Sequence, residues 1–308
     1  MDGDLELFAG TSESVVAIDM KDLGTTEGFW NVYRGNLDRT GFYQTTGGGM
    51  EIPHIADWNL VGLPLNVDDA TVTTIFPESI EGTLFSFNVS YVQEDALVPG
   101  TGYCLRFESE GTTVLTGTSI NSLALDLAEG WNLISGLSTP VNADILYASG
   151  LISDGTLYGF SDVYFNSDII EPGRGYWVRA TESGEITLAS NVALTKERVF
   201  TNHLEGSNTL GISNGEHTST LYFGKEVPEE ELLSYSLPPV FEGLVFDVRF
   251  SGDTKVVLES GEIEVANTTE TLTLSYDIPI ETGEHYNWVL SSENLDDYVL
   301  EDAGELTV

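Results

Sequence analysis

The sequence has one cysteine among 308 residues, so no intramolecular disulfide can stabilise the fold. Stability has to come from packing, and 41% apolar residues are enough for several cores. Cys104 itself is predicted to be a small buried side chain rather than a reactive thiol. Histidine is also scarce: the four residues lie far apart and none has a His-x-His or His-x-x-x-His spacing, so a zinc site would need all its geometry from the fold.

Basic residues are few as well. Only 11 Lys and Arg stand against 50 Asp and Glu, which gives a net charge of −39. Such a surface repels phosphate backbones and anionic lipids, so neither nucleic acid nor a membrane surface is a predicted partner. Three explanations of the acidity stay open: solubility of an extracellular protein, adaptation to a salty medium, and specific divalent-cation sites.

Long apolar runs are absent too. No stretch approaches the roughly 18 residues that span a bilayer, so membrane insertion is not predicted. The start at Met1 lacks the basic and apolar regions of a signal peptide. This start fits either a cytosolic protein or a chain cut from a longer secreted precursor.

What the sequence does contain is a segment written twice. Trp-Asn-Leu at residues 58–60 recurs at 131–133, and Gly-Thr-Leu at 82–84 recurs at 155–157, always with an offset of 73 residues. The repeated residues are the aromatic, glycine and proline positions that fix a core and its turns, so the repeat indicates architecture rather than chemistry. The structural repeat residues are Trp58, Pro99, Gly100, Gly102 and Tyr103 in the first copy and Trp131, Pro172, Gly173, Gly175 and Tyr176 in the second.

Strand signals dominate the whole chain, and we predict an all-β fold. Two tandem small β domains are followed by an immunoglobulin-like β-sandwich, whose predicted short strands have the spacing typical of that fold. Short helical turns are predicted only near residues 141–147 and 228–233. The predicted domains are an N-terminal part with two strands and an aromatic anchoring segment (1–49), repeat 1 (50–122), repeat 2 (123–195) and the sandwich (196–308).

Individual strands follow from runs of apolar and β-branched residues between turn residues. In the repeats, Pro-Gly-x-Gly forms a tight turn that begins an alternating strand. The predicted strands are 5–9 and 15–18 in the N-terminal part, 58–63, 71–76, 84–87, 103–107 and 176–180 in the repeats, and 209–212, 220–223, 246–250, 255–258, 271–276 and 286–290 in the third region.

The Trp-Asn-Leu and Pro-Gly-x-Gly-Tyr repeat resembles modules near the C-terminal ends of large proteins exported by the type IX secretion pathway. The third region, with Pro238, Pro239 and the sequence Phe-Asp-Val-Arg-Phe-Ser at 246–251, is similar to the domain that often follows them. This resemblance implies an extracellular or surface-attached protein.

Two patterns could carry chemistry. Residues 211–215 match the Gly-x-Ser-x-Gly motif of serine hydrolases, but a strand pattern follows instead of a helix, so a hairpin turn is the better interpretation. The acidic candidates for metal binding lack the twelve-residue calcium loop, and loop Ca²⁺ sites stay open beside solvated acid runs. These candidates are Asp68, Asp69, Asp296 and Asp297.

The aromatic residues raise the question of carbohydrate binding. Trp58 and Trp131 recur before strands and are expected in the core, whereas Trp177, whose mate is Cys104, is the candidate for a solvent-facing sugar platform. Five aromatic residues and two arginines in residues 29–43 suggest either a cation or sugar platform or an anchored loop.

We predict a non-catalytic extracellular structural or adhesive protein. Its predicted partners are copies of itself or other cell-surface proteins, with filaments formed by strand donation from the N-terminal strands. No cofactor is predicted apart from the Ca²⁺ alternative. The rival hypothesis is a carbohydrate-binding module, or part of a secreted carbohydrate-active enzyme, with glycans as partners.

Overall fold

The computed structural model describes residues 5–10, 15–20, 49–190, 201–267, 271–279, 288–292 and 295–308. The chain divides into two compact units, residues 1–50 and 51–308. In the first unit, β1 (Leu5–Gly10) and β2 (Val15–Met20) pair as an antiparallel hairpin, which confirms both predicted N-terminal strands. The aromatic segment predicted at 29–43 lies outside the described residues.

Repeat 1 is built around a four-stranded antiparallel sheet with the order β4-β8-β6-β7. Two short strand pairs, β3 with β9 and β5 with β10, complete it. Its elements are β3 (Met50–His54), β4 (Asp57–Gly62), β5 (Leu65–Asn66), α1 (Val72–Ile75), β6 (Phe85–Asn88), β7 (Ser90–Gln93), β8 (Gly102–Phe107), β9 (Gly111–Leu115) and β10 (Thr118–Ser119).

Repeat 2 has the same design. Its four-stranded sheet has the order β12-β17-β14-β15, and β11 pairs with β18 as β3 pairs with β9. It has its own core, in which Leu137, Leu146, Leu157 and Ile170 are fully buried. Its elements are β11 (Ser122–Leu127), β12 (Gly130–Ser135), β13 (Val141–Asn142), α2 (Asp144–Tyr147), β14 (Tyr158–Ser161), β15 (Val163–Asn166), β16 (Ile169–Ile170), β17 (Gly175–Ala180) and β18 (Gly184–Ala189).

The strand predicted at residues 71–76 is wrong, because the chain forms the short helix α1 there. Its β-branched residues favour a strand, but the carboxylate of Asp69 accepts hydrogen bonds from Thr71 N at 3.0 Å and from Thr74 Oγ1 at 2.9 Å, which closes a helical turn. In repeat 2, the equivalent Asn142 forms a similar turn before α2, with its Oδ1 accepting from Asp144 N at 2.8 Å. The helical turn predicted near 141–147 is confirmed.

The third region contains a five-stranded sheet with the order β22-β20-β19-β24-β27, and the strand pairs β21-β23 and β25-β26. Its core joins the five-stranded sheet to β21, as in a sandwich, through residues such as Leu221, Phe223, Phe246 and Val248. Its elements are β19 (Asn208–Ser213), β20 (Thr218–Phe223), a 3₁₀ helix (Glu229–Tyr235), β21 (Phe246–Phe250), β22 (Val256–Val257), β23 (Ile263–Asn267), β24 (Thr273–Asp277), β25 (Trp288–Ser292), β26 (Leu295–Leu300) and β27 (Ala303–Thr307).

The predicted all-β fold is therefore confirmed, since strands and small antiparallel sheets make up most of the described chain. None of the helices in the described ranges has the length and apolar character needed to span a bilayer. The 3₁₀ helix follows Pro228 and has three glutamates in its first turn, as its sequence predicts.

Candidate functional site

The two repeats contact each other directly through backbone groups. Gly62 N in repeat 1 donates to Gly173 O in repeat 2 at 3.0 Å, and Ser135 N in repeat 2 donates to Gly100 O in repeat 1 at 2.9 Å. Gly62 and Ser135 are equivalent residues of the two repeats, and so are Gly100 and Gly173. The two hydrogen bonds are therefore related by exchanging the repeats, which indicates an approximate two-fold axis between them. The same exchange relates two β-bridges, Val61 with Arg174 and Ile134 with Thr101.

The Pro-Gly turns provide half of this contact. Thr101 N donates to Val98 O at 3.2 Å across the turn at Pro99 and Gly100, and Gly100 has a positive φ of 91°. Proline followed by a glycine with positive φ is typical of a type II turn. The hydroxyl of Tyr103 closes the turn by accepting from Val98 N at 2.8 Å.

The turn of repeat 2 has the same geometry. Gly173 has a φ of 76° after Pro172, Arg174 N donates to Glu171 O at 3.4 Å, and Tyr176 Oη accepts from Glu171 N at 3.0 Å. The repeated tyrosine therefore holds the turn in shape in both copies.

The second glycine of each motif permits close approach between copies. A Cβ atom on Gly102 would lie 2.5 Å from Ile134 O, and one on Gly175 would lie 2.9 Å from Val61 O. Backbone oxygens cannot move aside as a flexible side chain can. The repeated motif thus serves the contact between the two copies as well as the turn within each copy.

An aromatic cluster is shared by both repeats and by the segment 237–244 of the third region. Trp58 and Trp131 are half-buried in it, and Trp177 is fully buried. The expectation that Trp177 faces solvent as a sugar platform is wrong. The cluster consists of Trp58, Leu60, Phe85, Phe87, Tyr91, Cys104, Trp131, Leu133, Tyr158, Phe160, Tyr164, Trp177, Leu237, Phe241 and Leu244.

Cys104 and Trp177 occupy equivalent positions in β8 and β17 but differ greatly in size. Trp177 packs edge-on against Phe87 of repeat 1, with ring centroids 4.8 Å apart, and against Trp131, 6.4 Å apart. Cys104 is 1% exposed, and burial raises the pKa of its thiol to about 12. The small thiol cannot make the contacts that the indole makes.

Phe241 from the third region makes the missing contacts. Its ring centroid lies 5.0 Å from that of Phe160 and 6.1 Å from that of Trp58, both in edge-on geometry. Phe160 and Trp58 are the equivalents of Phe87 and Trp131. Phe241 therefore takes the place that a tryptophan at position 104 would fill, and the third region completes the symmetric cluster.

Tyrosine hydroxyls of repeat 2 fix the segment that carries Phe241. Tyr158 Oη donates to Ser236 O at 3.2 Å, and Tyr164 Oη donates to Pro239 O at 2.8 Å. Burial raises the pKa of Tyr158 to about 12 and that of Tyr164 well above the usual tyrosine value. Both hydroxyls therefore keep their protons at neutral pH and act as donors.

Arg249 of β21 holds the same segment from the other side. Its buried guanidinium bonds Asp247 in bidentate fashion, at 2.6 and 2.9 Å, and also Asp253 at 2.7 Å and Pro238 O at 2.8 Å. Burial alone would lower the pKa of Arg249, but the hydrogen bonds and charges of the two aspartates outweigh burial and raise the pKa. The guanidinium remains charged and anchors the proline segment.

The calcium candidates Asp68, Asp69 and Asp297 belong to no metal-binding group in the described part of the chain. Within the described residues, no group of three or more His, Cys, Asp or Glu side chains is arranged to hold a metal ion. The Asp69 carboxylate is engaged by Thr71 and Thr74, whose hydrogen bonds lower its pKa, and Asp68 and Asp297 are exposed. Asp296 lies in β26, where its side chain is outside the described part.

The Gly-x-Ser-x-Gly match lies on the hairpin that joins β19 to β20. Ser213 Oγ donates to His217 O at 3.0 Å and accepts from Gly215 N at 3.1 Å, so the hydroxyl is used by the turn itself. A nucleophile elbow needs a helix after the turn, and here a strand follows. The hairpin interpretation is confirmed.

Phe241 is the residue that sequence reasoning missed. It lies outside the repeats and in no periodic pattern. The available signal was the mismatch between Cys104 and Trp177, because a loss of bulk at one copy of a repeated core position requires a compensating side chain from elsewhere.

Among known proteins, no family model, no curated protein and no solved structure matches this chain. The resemblance to modules of type IX exported proteins stays a prediction from motifs.

Proposed function

We propose that this protein is a non-catalytic extracellular structural or adhesive protein, which acts as a rigid spacer and associates with copies of itself. The observation that supports it most is the aromatic cluster shared by both repeats and the third region. The residues that the repeat retains serve contacts between β-sheets. A spacer needs such contacts because independent domains would hinge at their linkers.

The shared cluster supports mechanical unity of residues 51–308. Removing any one part exposes aromatic surface on the other two, so the parts stabilise one another. Tyr158 and Tyr164 add hydrogen bonds across the same junction, and Arg249 holds Pro238 in place within the third region. We expect the two repeats and the third region to unfold in a single step under mechanical force.

Single-molecule pulling of the full chain tests this expectation. One dominant unfolding event for residues 51–308 is the expected result, and Phe241→Ala should split it into at least two events. Val240→Ala is the matched control, because Val240 is 50% exposed beside Phe241 and should leave the single event unchanged. Separate low-force events in the unmodified protein would contradict the spacer role.

Self-association rests on the first unit. In the described part of the chain, β1 and β2 pair only with each other. A two-stranded hairpin is marginally stable by itself, and its edges can accept a strand from a neighbouring molecule. The net charge of −39 opposes association at low salt, so assembly should strengthen as salt screens it.

Sedimentation of the full chain and of a chain lacking residues 1–20, each in low and high salt, tests the assembly. Assemblies that form in high salt and disappear on truncation are expected. The strand-donation hypothesis fails if the full chain is monomeric throughout, or if truncation leaves the assemblies unchanged.

A further inference from the structure

A cleft of about 420 Å³ lies at the junction between repeat 2 and the third region. Repeat 2 lines it with α2 and with residues near Asp154 and Asp168, and the third region lines it with the 3₁₀ helix, β20 and Lys255. A smaller cavity of about 200 Å³ shares Asn166 and Lys255 with it. The volume falls within the range of small-molecule sites, which are often formed where domains meet.

Three tyrosines form part of the cleft wall: Tyr147, Tyr222 and Tyr235. The Lys255 ammonium lies 5.8 Å from the centroid of the Tyr235 ring. Burial raises the pKa of Tyr147 to about 12, so its hydroxyl remains neutral in this acidic setting. Tyr147 and Tyr222 are half-buried and give the wall its aromatic surface, whereas Tyr235 is 2% exposed and is in contact with Lys255.

The charged groups of the cleft are three carboxylates, Asp144, Asp154 and Asp168, and one ammonium, Lys255. Burial lowers the pKa of Lys255. Among the residues that the structure describes, no carboxylate forms an ion pair with Lys255. The cleft thus offers many acceptors and a half-buried donor that has no anionic partner.

We propose that this cleft binds a neutral saccharide. Sugar hydroxyls donate to carboxylates and accept from an ammonium, and the apolar face of a pyranose packs on tyrosine rings. Anionic ligands are disfavoured because the carboxylates of the cleft outnumber its ammonium, and because the chain carries a charge of −39. A purely apolar ligand would bury the Lys255 ammonium without offering it an acceptor.

The cleft does not depend on self-association through the first unit. It depends only on the junction between repeat 2 and the third region, where Tyr158 and Tyr164 hold Ser236 and Pro239. A chain that binds sugar without assembling, or assembles without binding sugar, separates the two proposals.

The repeat supplies a matched pair of variants. Asp168 in the cleft and Asp95 in repeat 1 are equivalent residues, both exposed, and each accepts a backbone hydrogen bond at 2.9 Å from the start of the neighbouring helix. Asp168→Asn removes a charge from the cleft, whereas Asp95→Asn makes the same change at a residue that does not line it. Neither change alters the backbone acceptor, so both variants should retain the melting temperature of the unmodified protein.

The experiment presents the full chain to a printed array of neutral and sialylated oligosaccharides, followed by calorimetry with the neutral oligosaccharide that gives the strongest signal. Asp168→Asn should weaken binding about tenfold, because the sugar hydroxyl then donates to a neutral amide oxygen instead of a charged carboxylate, and Asp95→Asn should leave binding unchanged. Lys255→Met, which keeps the apolar stem, should also weaken it.

Three results would overturn the proposal. They are the absence of binding to every neutral oligosaccharide, a preference for the sialylated ones, and equal affinity of the unmodified chain, Asp168→Asn and Lys255→Met. Equal losses of affinity in Asp168→Asn and Asp95→Asn would also count against the cleft, since they would show that the net charge of the chain, and not the cleft, affects binding.

Discussion

The two repeats have the same backbone but fill their shared interface differently. Their local hydrogen bonds match closely: Asn59 Oδ1 accepts from Ile55 N at 2.9 Å, and Asn132 Oδ1 accepts from Ala128 N at 3.0 Å. The contrast lies at Cys104 and Trp177. In repeat 2 the aromatic ring at this position is that of Trp177, whereas the equivalent space in repeat 1 is filled by Phe241 of the third region. The symmetry is broken at the position where a third body docks, so asymmetry within a repeat pair can mark an attachment point.

The largest expected effect is the contrast between two alanine substitutions at the equivalent positions. Trp177→Ala should lower the free energy of unfolding by about 4 kcal/mol, because a fully buried indole leaves a large cavity. Cys104→Ala should cost only about 1 kcal/mol. Denaturant unfolding of both variants measures the difference, and equal costs would contradict the assigned roles.

The next test swaps the source of the ring. Cys104→Trp should destabilise the protein by about 3 kcal/mol, because the new indole competes with Phe241 for one space. In the double variant with Phe241→Ala, the loss of unfolding free energy should be about 2 kcal/mol smaller than the sum of the losses in the two single variants. The control pairs Cys104→Trp with Val240→Ala, which should be additive. Additive effects for both pairs would show that Phe241 and position 104 occupy different spaces.

A glycine substitution tests the approach between copies. Gly102→Ala should cost about 2 kcal/mol, since its Cβ would meet the carbonyl oxygen of Ile134 at 2.5 Å. Gly184→Ala serves as the control, because its Cβ would meet only the flexible end of Leu151. Melting temperatures of the two variants report the difference. Equal shifts would show that the cost of Gly102→Ala arises within repeat 1 and not from its contact with repeat 2.

The smallest effect distinguishes two equivalent tyrosines. Tyr164→Phe should cost about 1 kcal/mol, because its hydroxyl donates to Pro239 O. Tyr91→Phe should be close to neutral, because the buried Tyr91 hydroxyl has no hydrogen-bond partner among the described residues. Unfolding of both variants in one denaturant series is the measurement. A larger loss of stability for Tyr91→Phe than for Tyr164→Phe would contradict the attachment of the third region to repeat 2.

Much of the fold follows from short-range patterns. Glycine and aromatic spacing located the repeats, and alternation located β4, β8, β19, β20 and β21. The β-branched residues at 71–76 predict a strand, and the prediction fails because the local hydrogen bonds of Asp69 outweigh strand propensity there. In the third region, the strands β23, β26 and β27 are not predicted, since charged residues interrupt their apolar positions.

The candidate sites were harder to predict, because periodicity shows which faces are apolar but does not show what covers them. Trp177 could not be recognised as buried until Phe87 was known to lie across from it. The cleft beside Lys255 combines residues that are about 100 positions apart in the sequence, and no local spacing relates them.

The position of Cys104 has a practical consequence. The chain has a single sulfhydryl, and it lies in the cluster that Phe241 completes. A maleimide dye can reach that sulfur only when the side chains that bury it move away. The protein therefore contains a built-in reporter of undocking, whose labelling rate measures how often the C-terminal body separates from its repeats.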